Sequence, residues 1–146
     1  MNRKAKKMGK AKDALTKAAK ALYNSTPMFL GVILLIGLAN ALIPKSAYAA
    51  LFSKNIILDS IIGSGIGGLL VGNPITSYIL GGEFLAQGVS LVAVTAFIVA
   101  WVTVGVVQMP AESLLLGKRF AIFRNATSFV LSIIVAIITI FIMGLI

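Results

Sequence analysis

Val71-Gly72-Asn73-Pro74-Ile75-Thr76-Ser77-Tyr78-Ile79-Leu80-Gly81-Gly82-Glu83 is the stretch on which the reading of this chain turns. Its apolar runs are too short to cross a bilayer alone, and Gly, Asn and Pro interrupt them. A soluble loop would not be this greasy, and an ordinary membrane helix would not be this interrupted. The pattern predicts a discontinuous helix, the kind of irregular backbone tolerated at membrane depth only where it is buried in protein or lines a polar cavity.

The rest of the chain supports a lipid setting. Of 146 residues, 59% are hydrophobic and 12% charged, against roughly 45–50% and 25% in soluble domains. Mean hydropathy is +1.03. A 150-residue soluble domain buries only about 70% of its unfolded surface, too little to hide this much apolar side chain. With no cysteine and no histidine, disulfides, zinc fingers and the histidine-based catalytic triads are excluded. The few acids show no paired-carboxylate or metal-ligand pattern, so we expect no enzyme, no metal and no cofactor.

Around the interrupted stretch the expected organisation is all-α: a polytopic helical bundle with four full spans plus one Gly/Pro-broken helix. The spans are expected at about 27–43, 56–72, 89–109 and 126–146, with the broken helix at 73–88. Residues Val89 to Met109 are uncharged, and 21 residues at 1.5 Å each give about 32 Å, enough to cross the hydrocarbon core. Proline 110 is expected to end that helix, with residues 111–125 as a connecting segment carrying Glu112, Lys118, Arg119 and Arg124. Within 56–72, Gly63, Gly65, Gly67 and Gly68 permit close helix packing or local unwinding. Their G-x-G-x-x-G spelling lacks the strand-to-helix setting of a dinucleotide site.

The formal charge of +9 is concentrated in a tail. Arg3, Lys4, Lys6, Lys7, Lys10, Lys12, Lys17 and Lys20 lie within the first twenty residues. Residues 1–22 therefore read as a basic amphipathic cytoplasmic tail, and 23–146 as one transmembrane domain. The lysines suit anionic lipid headgroups at roughly 1 kcal/mol each. Nucleic-acid binding is the less simple reading, since no aromatics interleave with the charges. A basic start, an apolar run and Ala47-Tyr48-Ala49 imitate a cleavable signal peptide, but Lys45 interrupts the approach and the run is long, so cleavage within 1–49 is not expected.

Topology forks at residues 72–88. If they cross, both basic clusters lie in the cytoplasm, as the positive-inside rule prefers. If they re-enter and return, the clusters lie on opposite sides. We favour crossing, which places the N-terminus in the cytoplasm and the chain in the cell inner membrane, and leaves four against five crossings to labelling.

An internal echo pairs Pro74-Ile75-Thr76-Ser77-Tyr78-Ile79-Leu80-Gly81 with Pro110-Ala111-Glu112-Ser113-Leu114-Leu115-Leu116-Gly117, 36 residues apart. Proline suits the first position of a helix, and nearby hydroxyl or carboxylate groups can cap exposed amides. Two such helix starts near mid-membrane would form a polar or anionic solute site. Chance recurrence of common membrane residues is the alternative. Candidate substrate-binding residues are Gly72, Asn73, Pro74, Thr76, Ser77, Gln108 and Pro110. An intramembrane acid is costly, and desolvation favours its protonated form, so Glu83 and Glu112 are candidate proton-coupling groups. The plainer alternative puts both at the interface, with Glu112 paired to Lys118 or Arg119. Asp59 reads as a helix-start residue, and Trp101 as packing or belt aromatic.

The residues Gly72-Asn73-Pro74-Ile75-Thr76-Ser77-Tyr78, Gly81-Gly82-Glu83, Ala96-Phe97 and Gln108-Met109-Pro110-Ala111-Glu112 resemble the permease family that includes YraQ-like and ArsP-like proteins. The likeness covers about residues 56 to 146. It implies a half-size member, completed as a homodimer, that moves a small polar or anionic solute by alternating access. Arsenic-handling relatives place cysteine at the substrate site, and this chain has none. A non-transporting scaffold subunit and a small pore-forming channel are the alternative readings.

Overall fold

The computed structural model describes residues 3–42, 47, 51–70 and 72–144. The expected signal-like site at Ala47-Tyr48-Ala49 falls largely outside them. The elements are all helical: α1 (Arg3–Leu42), α2 (Ile56–Leu69), α3 (Pro74–Ala86), α4 (Leu91–Thr103), α5 (Met109–Leu116) and α6 (Lys118–Met143). The chain divides into two compact units, Met1–Ala39 and Asn40–Ile146.

The first unit is built on α1. Basic tail and first apolar run are one continuous helix, not a tail and a separate span, and Pro27 lies inside it. Lysine and alanine are strong helix formers, and the polar Asn24-Ser25-Thr26 step does not interrupt them. The Thr26 hydroxyl donates to the Leu22 carbonyl at 3.0 Å, which satisfies it within the helix. Lys17 and Asp13 pair at 2.9 Å across one turn.

The second unit is organised by α2 against α4. Asp59 bonds Ser90, a Cβ on Gly63 would collide with the Ala93 carbonyl, and one on Gly67 with the Phe97 carbonyl. These pairings advance together, so α2 and α4 run parallel, backbone against backbone. Gly63 and Gly67 form a small-xxx-small face of the kind that draws membrane helices together. Between them in sequence, α3 returns along α4: Gly81 meets Val94 and Ile98, and Phe84 packs edge-on against Phe97 with ring centres 5.3 Å apart.

Helix α6 lies antiparallel to α4, with Asn125 against Gly105 and Ala136 against Val92 and Ala96. The Ser64 and Ser132 hydroxyls meet at 2.8 Å in the buried seam between α2 and α6. By length and composition α6 can cross a membrane, and only 11% of its most apolar window is buried. A soluble protein's core helix would be mostly buried, so the apolar surface of α6 is turned outward.

Three expected spans and the expected broken helix take different bounds. The span expected at 56–72 ends at Leu69. Residues 89–109 are not one helix: α4 stops at Thr103 and a new helix begins at Met109. The cause is a substitution of partners, since the Gly105 N–H bonds the Asn125 side chain instead of a carbonyl four residues back. Residues 73–88 hold no internal break; α3 is continuous from Pro74 to Ala86, and the interruption precedes it. Gly81 and Gly82 do not break α3, because Gly81 is buried against α4 side chains. The last helix starts at Lys118, not 126. Gly117, with φ 93°, makes the tight reversal from α5 that only glycine accepts readily, and so Arg124 lies in a helix and not in a connecting loop.

A helix–break–helix unit thus occurs twice. Helix α2 ends at Leu69 and α3 begins at Pro74; α4 ends at Thr103 and α5 begins at Met109, with Pro110 in its first positions. Both prolines start helices, and Pro110 does not end α4.

Candidate functional site

The two breaks meet. The Trp101 indole N–H donates to the Gly72 carbonyl at 3.3 Å, and the Val106 N–H to the Gly68 carbonyl at 3.4 Å. Between them is a cavity of about 120 Å³ whose wall includes Gly72, Pro74, Trp101, Gly105, Gln108 and Arg124. Each break therefore contributes both backbone and side chains to one space.

The first break is shaped by its cap. The Asn73 side-chain oxygen accepts the Ile75 N–H at 2.9 Å, and the Asn73 carbonyl accepts the Thr76 N–H at 2.9 Å. Asn73 performs the capping, not the hydroxyls of Thr76 or Ser77. The Ser77 hydroxyl donates to the Pro74 carbonyl at 2.7 Å, and both Thr76 and Ser77 are buried. Neither is among the residues lining the cavity.

The second break is held from α6. The Asn125 side-chain oxygen accepts the Gly105 N–H at 2.7 Å, while its amide nitrogen donates to the Ala121 carbonyl at 2.9 Å and to Glu112 Oε2 at 3.3 Å. The other Glu112 oxygen pairs with Arg124. Glu112 therefore does not cap α5, and its cation is Arg124 instead of Lys118 or Arg119. On a helix running from Lys118, Arg124 and Asn125 both reach back towards α5; on a loop they would not.

Of the remaining candidates, Gln108 lines the cavity. Pro110 is exposed and belongs to a separate apolar depression with Met109 and Leu114. Glu83 lies in the last turn of α3, where its carboxylate accepts from the Gln87 amide at 2.9 Å. Nine residues along the helix put it about 14 Å from Pro74, outside the cavity wall.

Sequence reasoning missed three contributors. Trp101 is buried, stacked edge-on against Phe97 at 5.4 Å, and supplies the donor that answers an orphan carbonyl. Its signal is that a tryptophan deep inside an apolar run needs a partner for its N–H. Arg124 and Asn125 carry the second break; they are the last two residues of the expected connecting segment, 111–125, and lie about two turns into α6. Asp59 is also more than a helix-start residue: it is fully buried, accepting the Ser90 hydroxyl at 2.5 Å and the Ser53 N–H at 3.0 Å.

Arg124 is the one charged residue in the described wall, and it is paired with Glu112. The N-termini of α3 and α5 border the cavity through Pro74 and Gln108, and the C-terminus of α4 borders it through Thr103 and Val104, so the helix ends bring partial charges of both signs and the arginine is what favours an anion or an electron-rich polar group. Among the described residues no group of three or more His, Cys, Asp or Glu could hold a metal ion.

No protein-family model, curated protein or solved structure matches the chain.

Proposed function

We propose that the protein is a half-size membrane permease that binds a small polar or anionic solute between its two helix breaks. The observation that carries this reading is their convergence on one polar cavity. Helices α2 and α4, with 14 and 13 residues, rise about 20 Å each and fall short of a core of about 30 Å. If α6 spans the bilayer, breaks that follow such short helices lie at membrane depth. Unwound backbone there is the device by which secondary transporters hold their solutes.

On this account the chain is polytopic in the cell inner membrane, with the break between α2 and α3 inside the bilayer and the basic end of α6 in the cytoplasm. The resemblance to the family of YraQ-like and ArsP-like permeases supports a homodimer that rebuilds the two-halved transporter, working by alternating access. Gly72, Pro74 and Gln108 bind the solute; Asn73, Thr76 and Ser77 shape the turn that presents it. Glu112 and Glu83 are the proton-coupling groups. Glu112 is the nearer to the cavity through Arg124.

Reconstitution in liposomes tests the reading. Saturable uptake of a small anion driven by an imposed proton gradient supports it, with the pH dependence shifted or abolished by Glu83→Gln and by Glu112→Gln. Unchanged transport in Glu83→Gln removes Glu83 from the mechanism. Absence of flux together with a stoichiometric membrane partner replaces the permease by a scaffold subunit, and a leak that does not saturate replaces it by a pore.

A further inference from the structure

The acid that neutralises Arg124 stands outside the cavity wall, not in it. Glu112 is paired with Arg124 Nη1 through one oxygen and held by Asn125 through the other, while the cavity itself is lined by Arg124 without Glu112. A guanidinium carries five N–H donors in a planar fork, so a single nitrogen shared with Glu112 leaves the other edge for a second acceptor. Arg124 is also the more open partner, its side chain 37% exposed against 18% for Glu112. The neutral part of the wall adds the Gln108 amide.

We infer that this cavity is a small-oxyanion site in which Arg124 is the ligand and Glu112 is its built-in competitor. A carboxylate, sulfate or phosphate group takes the cavity edge of the fork, where bidentate geometry suits it. Glu112 holds Arg124 in place when the site is empty and opposes the entering charge when it fills. The size agrees: about 120 Å³ is well under the roughly 300–1,000 Å³ of drug-sized pockets. The inference rests on the reading of the cavity as the solute site, but it concerns binding and does not require transport.

Trp101 makes the test direct, because it is the sole tryptophan of the chain and part of the cavity wall. Purified full-length protein in detergent is titrated with sodium sulfate and with sodium acetate at constant ionic strength, reading tryptophan emission. Wild type is expected to show a saturable change, Glu112→Gln to bind at least tenfold more tightly, and Arg124→Gln to lose saturation. Wild-type affinity in Arg124→Gln, or unchanged affinity in Glu112→Gln, overturns the inference. Should either variant fail to fold, arginine modification of the unaltered chain by phenylglyoxal, read by peptide mass spectrometry, decides: sulfate is expected to slow reaction at Arg124 and not at Arg119, and equal rates at Arg124 with and without sulfate overturn the site. Liposome flux separates the two claims. Arg124-dependent binding without flux upholds the oxyanion site and removes the permease; flux with no saturable binding to Arg124 does the reverse.

Discussion

Asn125, on α6, accepts the backbone N–H of Gly105 at 2.7 Å across 20 residues of sequence. This bond replaces the helical one that residue 105 would otherwise make and so permanently opens the chain between α4 and α5. Both residues are buried, so removing the acceptor strands a buried donor. Asn125→Leu is expected to cost about 1–3 kcal/mol, measured as a fall in unfolding free energy in mixed micelles. Stability equal to wild type would mean that the break does not depend on Asn125.

The glycines of α2 differ sharply in what surrounds them. A Cβ at Gly63 would overlap the Ala93 carbonyl, whereas one at Gly65 meets nothing within 4 Å. Gly63→Ala should force α2 away from α4 at a cost of roughly 1–3 kcal/mol. Gly65→Ala should be neutral or stabilising by up to about 1 kcal/mol through helix propensity. Thermal unfolding of the two variants side by side checks this, and equal effects would contradict the parallel packing of α2 on α4.

Asp59 ties the start of α2 to the start of α4 through the Ser90 hydroxyl, 2.5 Å from its carboxylate. Hydrogen bonds to charged groups contribute about 1.5–3 kcal/mol. Ser90→Ala should lose an amount of that order, and much less of it in an Asp59→Asn background. A double-mutant cycle with no coupling energy would separate the two residues.

The proposed topology, with the basic end of α6 in the cytoplasm, predicts sidedness. Lys54 precedes α2 and Ala86 ends α3, so both lie at the end of the bundle opposite Lys118. In a chain without native cysteine, Lys54→Cys and Ala86→Cys should label from outside intact cells and Lys118→Cys only after the membrane is opened. Ala86→Cys and Lys118→Cys labelling from the same face would contradict this arrangement.

The helical class and both proline-started helices were legible from apolar run lengths and from proline's lack of an N–H. The cavity was legible only in part. Gly72, Pro74 and Gln108 stood out because they interrupt apolar sequence, but Trp101 acts across 29 residues, Asn125 across 20 and Arg124 across 12, and no local pattern reports a partner so far away. Residues 89–109 read as one span because every one of them is uncharged; what opens that helix is a side chain on another element. Glu83 carried the same signal as Glu112, an acid within apolar sequence, yet a turn of α3 keeps it with Gln87.

The central claim is that the space between the breaks is wet while the protein is in its bilayer. Thr103, exposed and in the cavity wall, and Val130, exposed on α6, provide the comparison. In native membranes Thr103→Cys should react with a membrane-impermeant, charged thiol reagent and be protected by the bound solute, while Val130→Cys should stay unreactive. Thr103→Cys as inert as Val130→Cys would contradict the account.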